Sequence, residues 1–110
     1  MNRYDVRITR QAEDQINDIA YHIAVVLHDP DAAEGLVDDL HETIDSLGYN
    51  PERKFLVDEE PWHSEGVRKI KVKNYMMYFL IDAENAAVHI TGVCYAGRDQ
   101  KKFLGEMKME

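Results

Sequence analysis

With one cysteine, Cys94, the chain cannot form an internal disulfide and gives no sign of an oxidising compartment. No apolar run approaches the ~18 residues a membrane helix requires. The opening Met1-Asn2-Arg3-Tyr4-Asp5 has an acid where a leader would carry an apolar stretch, so no signal peptide is expected and a cytoplasmic location is. There is no P-loop, no Gly-rich dinucleotide fingerprint, no internal repeat and no low-complexity segment. His22 and His28 lie six apart, a poor spacing for a metal shared on one helix face, and Cys94 has no partner cysteine. Neither a metal site nor a cofactor or small-molecule substrate is expected.

Positive charge is also scarce, and it is unevenly placed. Against 21 Asp and Glu stand 13 Lys and Arg, for a net charge of −8. Residues 1–67 carry 5 basic and 16 acidic side chains, whereas residues 68–110 carry 8 basic and 5 acidic. An acidic protein has little long-range attraction to nucleic acid, so any contact with an anion must be local to the basic third. The length of 110 residues predicts one domain, 1–110, able to hold a core without staples.

Periodicity divides the chain into elements. Tyr4, Val6 and Ile8 alternate as in a half-buried strand. Thr9 suits a helix N-cap, and Ala12, Ile16, Ile19, Ile23 and Leu27 form one stripe of a helix of about five turns. Asp29-Pro30 breaks that helix and starts another, with Ala33, Leu36, Val37, Leu40, Ile44 and Leu47 as its stripe and Gly48 and Pro51 as its end. The short link makes the two helices an antiparallel hairpin. Residues 49–65 read as a loop pinned by Phe55, Leu56 and Trp62.

Three strands follow. In the first, Arg68, Ile70 and Val72 face one way and Lys69, Lys71 and Lys73 the other, with a turn at Asn74-Tyr75. Tyr75 to Ile81 is nearly all apolar, as in a central strand covered on both faces. After a turn at 82–85, Val88, Ile90 and Val93 carry the last strand, with Gly92 as a bulge. Asp99 caps a short helix ending near Met107. The fold class is therefore α+β in two layers: an N-terminal strand, an α-helical hairpin, a three-stranded antiparallel meander and a short C-terminal helix.

This order resembles the RelE/ParE superfamily of bacterial type II toxins. The carrying residues are Tyr4, Val6, Thr9 and Ala12, then Pro30, Ala33, Leu47 and Pro51, and above all VRKIKVKNY at 67–75. Tyr78 with Asp82, and VCYAGRD at 93–99, complete a likeness that covers nearly the whole chain. It implies a growth-inhibiting toxin of a plasmid-stabilisation module, held inactive by a cognate antitoxin. ParE-like members poison DNA gyrase, and RelE-like members cleave mRNA on the ribosome.

For the RNase branch the likeness implies Lys69, Lys71 and Arg98 as the catalytic set, with Lys71 as base or charge stabiliser and Arg98 as phosphate clamp. Two departures stand against it. Met76 occupies the position where mRNA-cleaving relatives carry an arginine, and Phe103-Leu104 replaces a C-terminal tyrosine or histidine. His89, mid-strand, reads as surface packing, and His63 as a loop residue. The ParE-like branch needs only a recognition surface: Lys73, Tyr95, Lys101, Lys102 and Phe103, with Arg98. A third reading is an antitoxin-binding relative that has lost toxicity.

Structural roles compete with each of these. Lysines on an edge strand discourage sheet-to-sheet association, and Arg98 with Asp99 would fix the C-terminal turn. Ile23 to Leu27 is apolar nearly all round, which fits either antitoxin-facing surface or the covered end of the hairpin; Met107 and Met109 are partner contacts or frayed tail.

Overall fold

The computed structural model describes residues 3–109; Met1, Asn2 and Glu110 of the expected 1–110 domain, and with them the first two residues of the leader expectation, lie outside that range. The elements are β1 (Asp5–Ile8), α1 (Arg10–Tyr21), α2 (Pro30–Ser46), α3 (Trp62–Glu65), β2 (Arg68–Val72), β3 (Tyr75–Asp82), β4 (Ala87–Tyr95) and α4 (Gln100–Glu106). Strands β2, β3 and β4 form the expected antiparallel meander. Strand β1 joins its edge parallel to β4, giving the order β1-β4-β3-β2. No helix among the described residues is long and apolar enough to cross a membrane.

The hairpin begins where its caps dictate. The Thr9 hydroxyl accepts from the Ala12 N–H at 3.2 Å, and the Asp29 carboxylate accepts from the Ala32 N–H at 3.1 Å with Pro30 in the first turn. Such a cap stabilises a helix by about 1 kcal/mol. Ile16, Leu36, Leu40 and Ile44 of the two stripes meet Met77, Phe79, Val88 and Ile90 of the sheet in one buried cluster. Ile8, although placed on the buried face of β1 by alternation, is 36% exposed at the end of that strand.

Helix α1 is shorter than the stripe predicts. After Tyr21 it passes into a π turn, His22–Val26, closed by the Leu27 N–H donating to the His22 carbonyl at 3.0 Å. The wider turn breaks the α-helical spacing. Leu27, expected as the last core residue of the stripe, leaves the core and stands 58% exposed.

The opposite face of the sheet carries a second cluster, in which Tyr78 and Cys94 meet Phe103, Leu104 and Met107 of the C-terminal segment and Val57 and Val67 of the long connection. Met76, Trp62 and Met109 pack against it. The central strand β3 is thus covered on both faces, as its apolar run predicts. Met107 and Met109 are packed rather than frayed. Gly92 occupies the expected bulge: Tyr78 pairs with Gly92 but Phe79 with Ile90, leaving Thr91 as the extra residue. A Cβ at position 92 would stand 2.8 Å from the Phe103 ring and 2.9 Å from the Met107 Sδ. The glycine is what lets α4 lie against the sheet.

The 49–65 connection is pinned differently from expectation. Trp62 does pack on the second cluster, and Leu56 is half-buried in a bridge to Arg68. The core slot beside Val67 belongs to Val57, whose N–H donates to the Val67 carbonyl at 2.9 Å. Phe55 does not pin the loop; it is 82% exposed, beyond that slot.

Candidate functional site

The sheet face away from the hairpin holds a cleft of about 320 Å³ lined by Arg53, Lys54, Phe55, Lys69, Lys71 and Met76, with Ile70. Register explains the arrangement. Lys69 stands opposite Tyr78 and Lys71 opposite Met76 on β3. The chain at 53–55 is drawn over them by two contacts: the Lys69 N–H donates to the Phe55 carbonyl at 3.1 Å, and the Arg68 guanidinium donates to the carbonyls of Lys54 at 2.6 Å and Glu52 at 3.2 Å. Arg68 is thus a clamp for the cleft wall. Four cations around an exposed ring make a surface suited to an anionic, stackable ligand. Periodicity did not reveal Arg53, Lys54 or Phe55. The available signal was an Arg-Lys-Phe triplet inside an otherwise acidic stretch.

Lys73 does not belong to this lysine row. The β2–β3 turn is Lys73-Asn74, one residue earlier than expected, with Val72 paired to Tyr75. Lys73 takes φ 52°, the left-handed conformation that two-residue hairpin turns demand. Its ammonium pairs with Asp39 of α2 at 2.7 Å, on the hairpin face.

The other candidates gather at the β4–α4 connection. Tyr95 is 57% exposed, with its ring edge-on to Tyr75 at 6.0 Å between centroids. A Cβ at Gly97 would overlap the Tyr95 ring, so that glycine lets the ring lie flat on the connection. Arg98 donates to the Glu106 carboxylate at 2.9 Å and lies 5.1 Å above the Phe103 ring. It is not among the residues lining the Lys69–Lys71 cleft, and its guanidinium is already engaged by Glu106 and the Phe103 ring. Asp99 caps α4, accepting from the Lys102 N–H at 3.1 Å. Arg98 therefore pairs with Glu106 and not with Asp99. Lys101 and Lys102 are exposed in the first turn of α4. Phe103, expected on the target-binding surface, is core instead: it is 3% exposed and stacks on Tyr78.

Gln100 fixes this connection. Its Nε2 donates to the carbonyls of Tyr95, Ala96 and Arg98 at 3.3, 3.2 and 2.7 Å. Its Oε1 accepts from the Tyr78 hydroxyl, with the Cys94 thiol at 3.5 Å. Burial pushes the Tyr78 phenol far above its ordinary range and raises the Cys94 thiol as well, which favours the protonated form of both. His63 is occupied structurally, with Nδ1 2.7 Å from the Val57 carbonyl. His89 lies 3.7 Å from Asp82 at the far end of β3, where donors from Asn85 hold the Asp82 carboxyl below its usual range. Among the described residues no group of three His, Cys, Asp or Glu is placed to hold a metal ion.

A family model described as the ParE toxin of the type II toxin-antitoxin system, parDE, matches residues 6–100. No curated protein matches the chain significantly in sequence. Among solved structures, the chain is similar to a chromosomal ParDE toxin–antitoxin system from P. aeruginosa, with TM-score 0.68 and 21% identity over 84% of this chain and 95% of that one. It is also similar to the RelBE2 toxin–antitoxin complex from Mycobacterium tuberculosis, with TM-score 0.61 and 21% identity over 86% of this chain and 93% of that one. At these identities the solved structures establish the fold, which both branches share.

Proposed function

The chain belongs to the ParE toxin family of type II toxin–antitoxin systems, and from that premise we propose that it arrests growth by binding DNA gyrase through the β4–α4 connection, under the control of a cognate antitoxin. The observation that carries this reading is that Arg98, the phosphate clamp of the RNase set, is already engaged. Arg98 is drawn to Glu106 and over Phe103, while Lys69 and Lys71 line a different cleft opposite Met76. Phosphoryl transfer to a 2′-hydroxyl needs base, acid and charge stabiliser around one phosphate. Binding needs only a surface, and Tyr95, Arg98, Lys101 and Lys102 offer an exposed aromatic with three cations on a connection held by Gln100.

The Lys69–Lys71 cleft favours a second reading. Its cations and the exposed Phe55 ring suit a phosphate and a base of single-stranded RNA, as a RelE-like mRNA endonuclease would require. The double variant Lys69→Ala with Lys71→Ala separates the two. Under the gyrase reading it is expected to arrest growth as the parent does, at equal soluble level. Loss of arrest, together with loss of cleavage of translated mRNA, would transfer the function to the cleft.

A further inference from the structure

We propose that this chain associates with itself head to tail, the Phe55 knob of one copy seating in a trough beside the π turn of the next. Phe55 stands clear of the fold, and Arg53, Lys54, Lys69 and Lys71 surround it. None of these four cations forms an ion pair among the described residues. The knob is also held ready. The Phe55 carbonyl accepts from the Lys69 N–H, and the Lys54 carbonyl from the Arg68 guanidinium. A side chain presented in a fixed position loses less freedom on docking.

The trough is the inverse of the knob. Two adjoining depressions, of about 500 and 430 Å³, share Leu27 and Tyr75 and are lined also by Ile23, Asp18, Asp29 and Asp31. Asp18 and Asp31 are exposed and form no ion pair among the described residues. Lys73, the cation on the wall, is paired with Asp39 at 2.7 Å. Val25 and Val26, exposed on the π turn, extend the apolar margin. An exposed apolar surface of this extent marks an interaction site.

Charge sets the geometry of the contact. Residues 10–46 carry ten carboxylates against one arginine, so trough against trough is repulsive, and knob against knob brings cations together. Knob in trough is the complementary pairing, an aromatic ring with cationic flanks in an apolar hollow with acidic margins. Such a contact is heterologous, so each copy keeps one free surface for the next. The two surfaces lie on opposite faces of the sheet: Tyr75 packs towards the hairpin cluster and Met76 towards the other. No copy therefore fills its own trough. Tyr95 lines the trough and also belongs to the proposed gyrase surface, so a docked copy masks the target contact. That consequence rests on the gyrase reading; the association does not.

The test is sedimentation velocity on the full chain across a concentration series, followed by mixing of two variants. The parent is expected to form dimers and then longer species as concentration rises. Phe55→Ser, which removes the knob, and Leu27→Asp, which spoils the trough, each weaken self-association by about 30-fold, the scale of a central interface residue. Neither should change the melting temperature, since both side chains already face solvent. Mixed together, the two variants form a one-to-one dimer and nothing larger, because one supplies the only intact trough and the other the only intact knob. Adding Arg53→Glu with Lys54→Glu to the Leu27→Asp copy breaks that dimer. Adding Asp18→Lys with Asp31→Lys to the Phe55→Ser copy then rebuilds it. A parent that stays monomeric, a mixture that stays monomeric, or a dimer that survives both single substitutions overturns the proposal. So does failure of the charge exchange to restore pairing. If the parent is monomeric and Phe55→Ser costs it affinity for a single-stranded oligonucleotide, the knob belongs to nucleic acid instead. Sedimentation involves neither gyrase nor RNA, so its failure beside intact growth arrest rejects the self-association alone.

Discussion

Phe103→Ala is expected to lower folding stability by about 3–5 kcal/mol, the range for truncating a fully buried aromatic side chain. The ring is 3% exposed, stacks on Tyr78 with centroids 5.8 Å apart and supports the Arg98 guanidinium from below. It also fills the space that Gly92 leaves open. Since a domain of this size holds only about 5–15 kcal/mol in total, the variant should melt far below the parent, and Phe103→Leu should recover most of the loss. Urea midpoints read by circular dichroism decide the matter. An unchanged midpoint with lost toxicity would return Phe103 to the target-binding surface.

The largest functional effect is expected from Lys101→Glu with Lys102→Glu. Two exposed cations become anions on the surface assigned to gyrase, so inhibition of supercoiling should weaken by on the order of 100-fold, attraction being replaced by repulsion. Stability should not fall. Both lysines sit in the first turn of α4, where the helix dipole disfavours cations. A glutamate at 102 would complete a capping box with Asp99, whose carboxylate already receives the N–H of that residue at 3.1 Å. The variant should therefore unfold within about 0.5 kcal/mol of the parent or slightly above it. That the chain keeps lysines where carboxylates would stabilise the helix better supports a role for them outside the fold. Undiminished inhibition by the folded variant would move the gyrase contact elsewhere.

Elements set by repeated spacing were legible in the sequence. The stripes through Ile16 and Leu40, the doubly covered run from Met77 to Phe79 and the caps at Thr9, Asp29 and Asp99 all follow from local pattern. What escaped depends on one-residue slips and on distant contacts. Leu27 was lost to a π turn, which leaves no mark in an apolar spacing. Lys73 changed face because the hairpin turn begins one residue early, and a single step exchanges the two sides of a strand. Phe103 follows two lysines and so resembles a surface aromatic; only its packing against Tyr78 and Gly92 shows otherwise. The Arg53–Phe55 wall of the cleft exists because residues near 56 pair with residue 68, a pairing between segments twelve residues apart.

Pulse labelling of DNA and protein synthesis in the same cells, after induction from a tight promoter, tests the central claim most directly. The proposed gyrase poison should stop DNA synthesis first and produce filaments while translation continues. A prompt fall in translation with DNA synthesis spared would contradict it and place the chemistry in the Lys69–Lys71 cleft, and no effect on either process at a verified soluble level would contradict both toxic readings.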